Sequence, residues 1–398
     1  MKGKWPTVEI GKAFETSAGG TPSRSNKQYF EGGAIPWLMS GEVGQREIKS
    51  CANFITETGL ASCSARLLPI DTVLVAMYGA TAGQVGVLKF EACTNQAVCG
   101  LHPNSRFEPS FVYYALLAQQ RELIASAVGN AQPNLSQIKI RKVRIPEPPL
   151  PEQRRIVGIL DEAFAGLATA EANAARNLQN AREIFDSHLH AVFSQRGAAR
   201  PPVPLRQCVE DIATGLFGSL LHKSDYEAGG IPLVNPINIE GEAIVPDDRK
   251  AVGRETAERL SRYVLKENDI VIGRRGEIGR CAVITSIEAG WICGTGCFVI
   301  RPTPDTNPHY LAHLLRSKPY REQLEAVSKR ATMPSISNED LANLDVQIPP
   351  LPQQKMVLRL LNLVSAKTQR LATLQQRKIS ALGELKKSLL HQAFAGGL

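Results

Sequence analysis

The sequence has no CxxC pair, and its eight cysteines (51, 63, 93, 99, 208, 281, 293 and 297) show no Cys/His ligand spacing. That argues against a structural zinc module and leaves free, partly buried thiols. The closest pair, in Cys293-Gly294-Thr295-Gly296-Cys297, carries no expectation of a metal. No apolar run reaches the length of a membrane span, and Met1-Lys2-Gly3-Lys4-Trp5 is not followed by the apolar stretch of a signal peptide. The expected partners therefore include no membrane, and the expected location is the cytoplasm. A GxxxxGK(S/T) loop is missing, so no nucleotide motor is built by that route. Also missing are the Asn-Pro-Pro-aromatic and Asp-Pro-Pro-aromatic signatures of methyl transfer, and a glycine-rich S-adenosylmethionine loop after a strand. Glu47-Ile48-Lys49 has the E-x-K shape of a nuclease, but no Pro-Asp precedes it at a plausible distance, and it reads as a solvated strand or turn.

What the chain does have is an internal repeat. From Pro133 to Phe193 and from Pro334 to Phe394 two copies align without a gap at a constant offset of 201 positions. Pro148-Pro149-Leu150-Pro151-Glu152-Gln153 answers Pro349-Pro350-Leu351-Pro352-Gln353-Gln354. Ser136/Ser337, Leu160/Leu361, Arg176/Arg377, Glu183/Glu384, Ser187/Ser388, Leu189/Leu390 and His190/His391 match around it. A proline cluster fixes φ and supplies no amide donors, so PPLPxQ reads as an extended approach followed by a stiff helix start. Behind it Ile156, Leu160, Ala163, Leu167, Ala170, Ala174, Leu178, Ala181, Phe185 and Val192 follow the four-and-three spacing of a coiled-coil seam. The second copy does the same with Val357, Leu361, Val364, Leu371, Leu374, Leu382, Leu385 and Leu389, interrupted by polar Thr368 and Lys378. About 40 residues at roughly 1.5 Å each give a rod of about 60 Å.

A single rod cannot bury its own stripe, and charge favours pairing the two. Residues 150–195 hold 4 basic and 6 acidic residues, whereas residues 352–394 hold 8 basic and 1 acidic. Exposed pairs contribute only some tenths of a kcal/mol each, so the apolar seam must dominate. The total charge of +8 suggests a polyanionic partner, yet it is unevenly spread: residues 1–149 carry +4, residues 205–351 carry −3, and most of the excess lies on the second rod.

A chain of 398 residues is too long for one ordinary core. The expected order is a first domain over 1–147, a spacer helix over 148–195, a linker over 196–204, a second domain over 205–348 and a second spacer helix over 349–398. The fold class is α+β, or mixed α/β: two globular domains, two long antiparallel coiled-coil helices, and an internal pseudo-two-fold repeat. Strand-like runs Ile35-Pro36-Trp37-Leu38 and 72–77 in the first domain are answered by Ile231-Pro232-Leu233-Val234 and 269–273 in the second. In that alignment Asp269 answers Asp71, each followed by a strand and a glycine-bearing turn. Helices are expected over 109–124 and 308–326. Alike in plan and unlike in sequence, the two domains meet different things.

The doubled PPLPxQ helix start, the doubled strand and glycine turn (Tyr78 to Gly83, Arg274 to Gly279) and the two domains in one chain resemble the DNA specificity subunits of type I restriction-modification systems. The likeness spans essentially the whole length. It implies that each domain is a target recognition domain reading one half of a bipartite, asymmetric sequence in double-stranded DNA. It further implies that the helices act as spacer and dock two methyltransferase subunits, that a restriction and motor subunit joins them, and that the chain itself is non-catalytic. On the same grounds no cofactor is expected on this chain, with S-adenosylmethionine on the partner subunits. The competing reading is a coiled-coil interaction adaptor without DNA specificity.

Base readout needs donors and acceptors on groove-facing side chains, and basic groups with turn amides hold phosphates. The candidates for DNA contact are Tyr78, Thr81, Asn95 and Gln96 in the first domain and Arg274, Arg275, Lys329 and Arg330 in the second. Gly79, Gly83, Gly276 and Gly279 would let the backbone approach phosphate. Leu160, Leu167, Leu178, Phe185, Leu361, Leu371, Leu382 and Leu389 are the expected helix-pair and docking positions. His190 and His391, repeated at the rod ends, are expected to pack there.

Overall fold

A computed structural model of the chain describes residues 5–126, 135–194, 201–216, 220–328, 335–395 and 397. It divides into two compact units, Met1–Ala175 with Gln376–Leu398, and Arg176–Gln375. Both boundaries fall inside unbroken helices, Leu150–Ser194 and Leu351–Ala395, each of 45 residues. Each unit therefore holds one α/β domain and half of each long helix. Among the described residues no helix is long and apolar enough to cross a membrane.

In the first unit the β-branched run Val73–Ala76 is the middle strand of a five-stranded sheet, in the order 16–18, 98–101, 73–76, 85–88, 47–48. Alternation along the strand divides it between two cores. Val73 and Val75 face Phe111, Leu116 and Leu160, while Leu74 and Ala76 face Leu38, Ile48 and Leu88. Strand Ile35–Leu38 forms where expected and pairs in parallel with Cys93–Thr94. The helix expected over 109–124 is two, Pro109–Ala118 and Gln120–Ser126. Between them the Gln119 side chain donates to the carbonyls of Ala115 and Arg144, at 3.4 and 3.0 Å, which ties the break to the neighbouring strand.

The second unit repeats this frame. Strand Ile270–Gly273 lies in a four-stranded antiparallel sheet with 209–214, 297–302 and 281–283, and Leu233–Val234 pairs in parallel with Ile292–Cys293. Asn268, at φ 71°, occupies the position of Asp71, at φ 69°. Asp269 therefore answers Thr72 and not Asp71: the sequence alignment was one residue out of register. Buried Asp269 accepts from the Lys266 amide at 2.9 Å and from Arg301 at 3.2 Å. The helix expected over 308–326 is again two, Pro308–Arg316 and Lys318–Ser328. A continuous helix would drive the Pro319 ring into the Leu315 carbonyl, so a new helix starts instead.

Within each unit the start of one long helix packs beside the end of the other, which makes them antiparallel there. Ile156 and Leu160 share a core with Leu390 and Ala393; Leu189 and Phe193 share one with Leu361. Buried positions recur every seven residues, at Gln153, Leu160, Leu167, Ala174 and Ala181, and at Gln354, Leu361 and Thr368. Of the expected seam positions Leu178, Phe185, Leu382 and Leu389 are half-buried. Leu371 is a correction: it is 45% exposed, while Thr368, taken for an interruption, is buried with its hydroxyl bonded to the Val364 carbonyl at 3.0 Å. In a straight helix a seven-residue row drifts about 20° per heptad. The row Val357, Val364, Leu371 starts half-buried and has turned outward by its third member. His190 and His391 are exposed, not packed; the seam takes Leu189 and Leu390 instead.

The PPLPxQ motif has a structural role. Buried Gln153 accepts from the Glu108 amide at 2.8 Å and donates to the Arg106 and Pro148 carbonyls, both at 2.9 Å. Gln354 repeats this with the Asn307 amide at 2.7 Å and the carbonyls of Asp305 and Pro349 at 2.9 and 2.7 Å. One side chain thus joins the start of the long helix to the start of the helix at 109 or 308.

Candidate nucleic-acid interface

Both central strands run into a tight turn whose glycines lie in the left-handed region: Gly79 at φ 70° and Gly83 at 81°, Gly276 at 74° and Gly279 at 86°. L-residues with a side chain rarely adopt that conformation, so the turn itself requires glycine. A Cβ on Gly83 would come within 2.9 Å of Ile124, and one on Gly279 within 2.9 Å of Arg321, whereas the space before Gly276 is open. The strand register makes Met77 answer Arg274 and Tyr78 answer Arg275, and after Gly79 and Gly276 the second turn is one residue shorter.

The structure gathers most of the candidate side chains at these turns. Tyr78 is exposed at the start of the first, and the Thr81 hydroxyl donates back to its carbonyl at 3.2 Å. The neighbouring 95–97 turn joins it through the Met77 amide, which donates to Ala97 at 2.7 Å. Gln96 is exposed there and accepts from the Thr21 hydroxyl. Asn95 is buried, its side-chain oxygen accepting from the Ala97 amide at 3.2 Å, so it fastens the turn. In the second unit Arg275 is exposed and Arg274 half-buried. Lys329 and Arg330 lie outside the described residues.

Behind the turns, the two units hold their helices by different chemistry at matching places. In the first, Arg46 donates to Asp161 at 2.6 Å, the Tyr114 hydroxyl donates to the same carboxylate at 2.5 Å, and Phe164 stacks edge-on against Tyr114. In the second, His313 takes the place of Tyr114, between Phe185 and Glu242, with Arg316 at 3.1 Å from Glu242. Burial first and Arg316 second push His313 down to about 4, outweighing Glu242, so its contact with Glu242 is between a neutral ring and a carboxylate. Sequence reasoning missed both clusters. Their members are scattered along the chain, although Tyr114 and His313 stand at the same place in the helices that begin at Pro109 and Pro308.

All eight cysteines are free, burial pushes the Cys93 and Cys99 thiols up to about 12, and among the described residues no group of His, Cys, Asp and Glu could hold a metal. Glu47 pairs with Lys49 at 2.9 Å on a short strand.

The type I restriction modification DNA specificity domain matches residues 2–176 and again 209–378. The specificity subunit of the EcoR124I/EcoR124II enzyme of Escherichia coli is 27% identical over 197 residues, 48% of each chain. The MjaIX specificity subunit of Methanocaldococcus jannaschii is 23% identical over 99% of this chain and 93% of its own length. Among solved structures, a chain from a study of complex assembly and conformational transition of the type I R-M system has the same fold, with a TM-score of 0.79, 21% identity, and 100% and 99% of the two chains covered. The HsdS subunit of Thermoanaerobacter tengcongensis gives a TM-score of 0.61 at 20% identity over 99% and 97%. With two family domains, each carrying a glycine turn of its own and seated on a shared pair of long helices, the chain belongs to the DNA specificity subunits of type I restriction-modification systems, the recognition and not the catalytic members of those systems.

Proposed function

We propose that this chain reads a bipartite, asymmetric target in double-stranded DNA, one half with each unit, and docks two methyltransferase subunits, with a restriction and motor subunit joining the complex. The observation that carries the reading is a common frame with unlike contact residues. The main chain entering the two turns is hydrogen-bonded alike and each turn has two left-handed glycines, yet Met77-Tyr78 stands in one where Arg274-Arg275 stands in the other. Two like frames with different side chains suit two different half-sites. S-adenosylmethionine would sit on the methyltransferase partners, and Tyr78, Thr81, Gln96 and Arg275, exposed on or beside the two turns, are among the side chains we propose to meet DNA.

Docking has its own support. Met356, Leu360, Leu363, Leu371 and Leu374 are 45 to 58% exposed along the second long helix, whereas among the described residues of the first the exposed large apolar side chain is Ile184, at 42%. Lys355, Arg359, Lys367 and Arg370 flank the row. An apolar row within a basic helix fits a partner surface that is apolar with an acidic rim.

A gel shift with the methyltransferase complex at moderate salt tests recognition. Retention of one duplex over random sequence is expected, and no preference would favour the adaptor reading. Leu360→Glu with Leu374→Glu tests docking: these side chains already meet water, so the chain should fold while co-purification of the methyltransferase falls by tenfold or more. Unchanged co-purification would move the docking face elsewhere.

A further inference from the structure

Arg274 stands where the other unit has a core residue. The backbone at the two positions is held alike: Met77 donates to Ala97 at 2.7 Å and accepts from Leu135 at 2.8 Å, while Arg274 donates to Gly296 at 2.9 Å and accepts from Ile336 at 3.1 Å. Met77 is 2% exposed and packs in the first core. The corresponding guanidinium lies over the buried Phe298 ring, 5.4 Å from its centroid, and its Nε is buried with no hydrogen-bond partner. Burial, and then Arg275, disfavour its charge. A cation placed in this way destabilises the free protein unless something else engages it.

The space in front shows what could. A cavity of about 420 Å³ is lined by Arg274, Ser335, Ser337, Asn338 and Asp340. Asp340 is held in place, accepting from the Ser337 amide at 2.9 Å and hydroxyl at 2.6 Å. A phosphate here would meet a fixed carboxylate as well as the arginine. A neutral group with paired acceptors would meet the guanidinium without that charge repulsion, with the ring behind it limiting the guanidinium's rotation. Among the faces of duplex DNA, the major-groove edge of guanine, with O6 and N7 side by side, is the group of that description that arginine engages with two hydrogen bonds.

We infer that Arg274 reads a guanine edge in the half-site of the second unit, in a cavity that the first unit closes with Met77. This rests on the reading of the chain as a DNA recognition subunit and adds the side chain, the unit and the base.

Arg274→Met installs the twin's residue and Arg274→Lys keeps the charge without the fork. Each is assembled with the methyltransferase partner and assayed on duplexes randomised one position at a time, at several salt concentrations. Discrimination for guanine at one position of one half-site should fall by about tenfold or more in both variants, with the other half-site and the salt slope unchanged. The unfolding midpoint of Arg274→Met should be no lower than that of the parent. A uniform loss over all sequences, with a shallower salt slope in Arg274→Met, would make Arg274 a phosphate contact and overturn the assignment. Full retention of guanine discrimination in the variants would overturn it too. No sequence preference in the parent complex would remove the recognition reading on which it rests.

Discussion

His313 and Tyr114 occupy one position of a common frame and differ in what a proton does to them. Tyr114, pushed up chiefly by burial and next by its bond to Asp161, stays neutral across the ordinary range. The His313 ring is held down at about 4 by burial and by Arg316, against the pull of Glu242. In the unfolded chain an imidazole titrates near 6.5. Between those two values the unfolded chain takes up a proton that the folded one refuses. The contribution is therefore whole above about pH 6.5, falls as pH drops, and is lost near pH 4, some 3 kcal/mol in all. Urea melts of the parent and of His313→Tyr from pH 7 to pH 4 should show the parent losing stability the more steeply, with the excess confined to that window. Parallel curves would mean that His313 is charged in the folded protein.

At the scale of the element, the glutamine of PPLPxQ explains why the motif recurs. Gln153 and Gln354, both fully buried, each close three hydrogen bonds with main-chain groups of the preceding segment. Replacing Gln354 by Leu would leave an amide and two carbonyls without partners. At about 1 kcal/mol or more apiece, the loss should be roughly 3 kcal/mol, read as an earlier denaturant midpoint for the second unit. Gln353→Leu, one position along and exposed, should leave that midpoint in place. The motif was legible in the sequence as a stiff helix start; the role of its glutamine was not, because two of the three partners lie 45 to 49 residues upstream. The long helices themselves were legible because their period is strong, and Leu160, Leu167 and Leu361 are buried as their spacing implies. Their outer face was not. Hydropathy counts Leu371 and Leu374 as core and Thr368 as a flaw, whereas the seam is fixed by a seven-residue register that accepts a small hydroxyl residue and leaves those leucines outside. The breaks at Gln119 and Ser317 were hidden inside apolar periodicity. The candidate turn was found through its glycines, but Arg274 gained its meaning only when the one-residue change of register set it opposite Met77.

For the whole molecule, the two units hold complementary halves of the same pair of helices, and neither has a long helix of its own. A change of length made in both helices keeps the seven-residue register only if whole heptads are removed from each at matching positions, as with residues 171–177 and 372–378. Removing one heptad shortens each helix by about 10 Å while rotating the seam by only about 20°. If each unit reads one half-site, that length corresponds to roughly three base pairs of duplex at 3.4 Å per step. Methylation of a library in which both half-sites are fixed and the spacer between them varies should then show an optimum shortened by about three positions, with each half-site unchanged. Removing the heptad from the first helix alone would stop Ile156 and Leu160 from keeping Leu390 and Ala393 while Leu189 and Phe193 keep Leu361, and should lower stability without producing a new optimum. An optimum that stays in place after the paired deletion would mean that the helices hold the units together without setting the spacing of what they read.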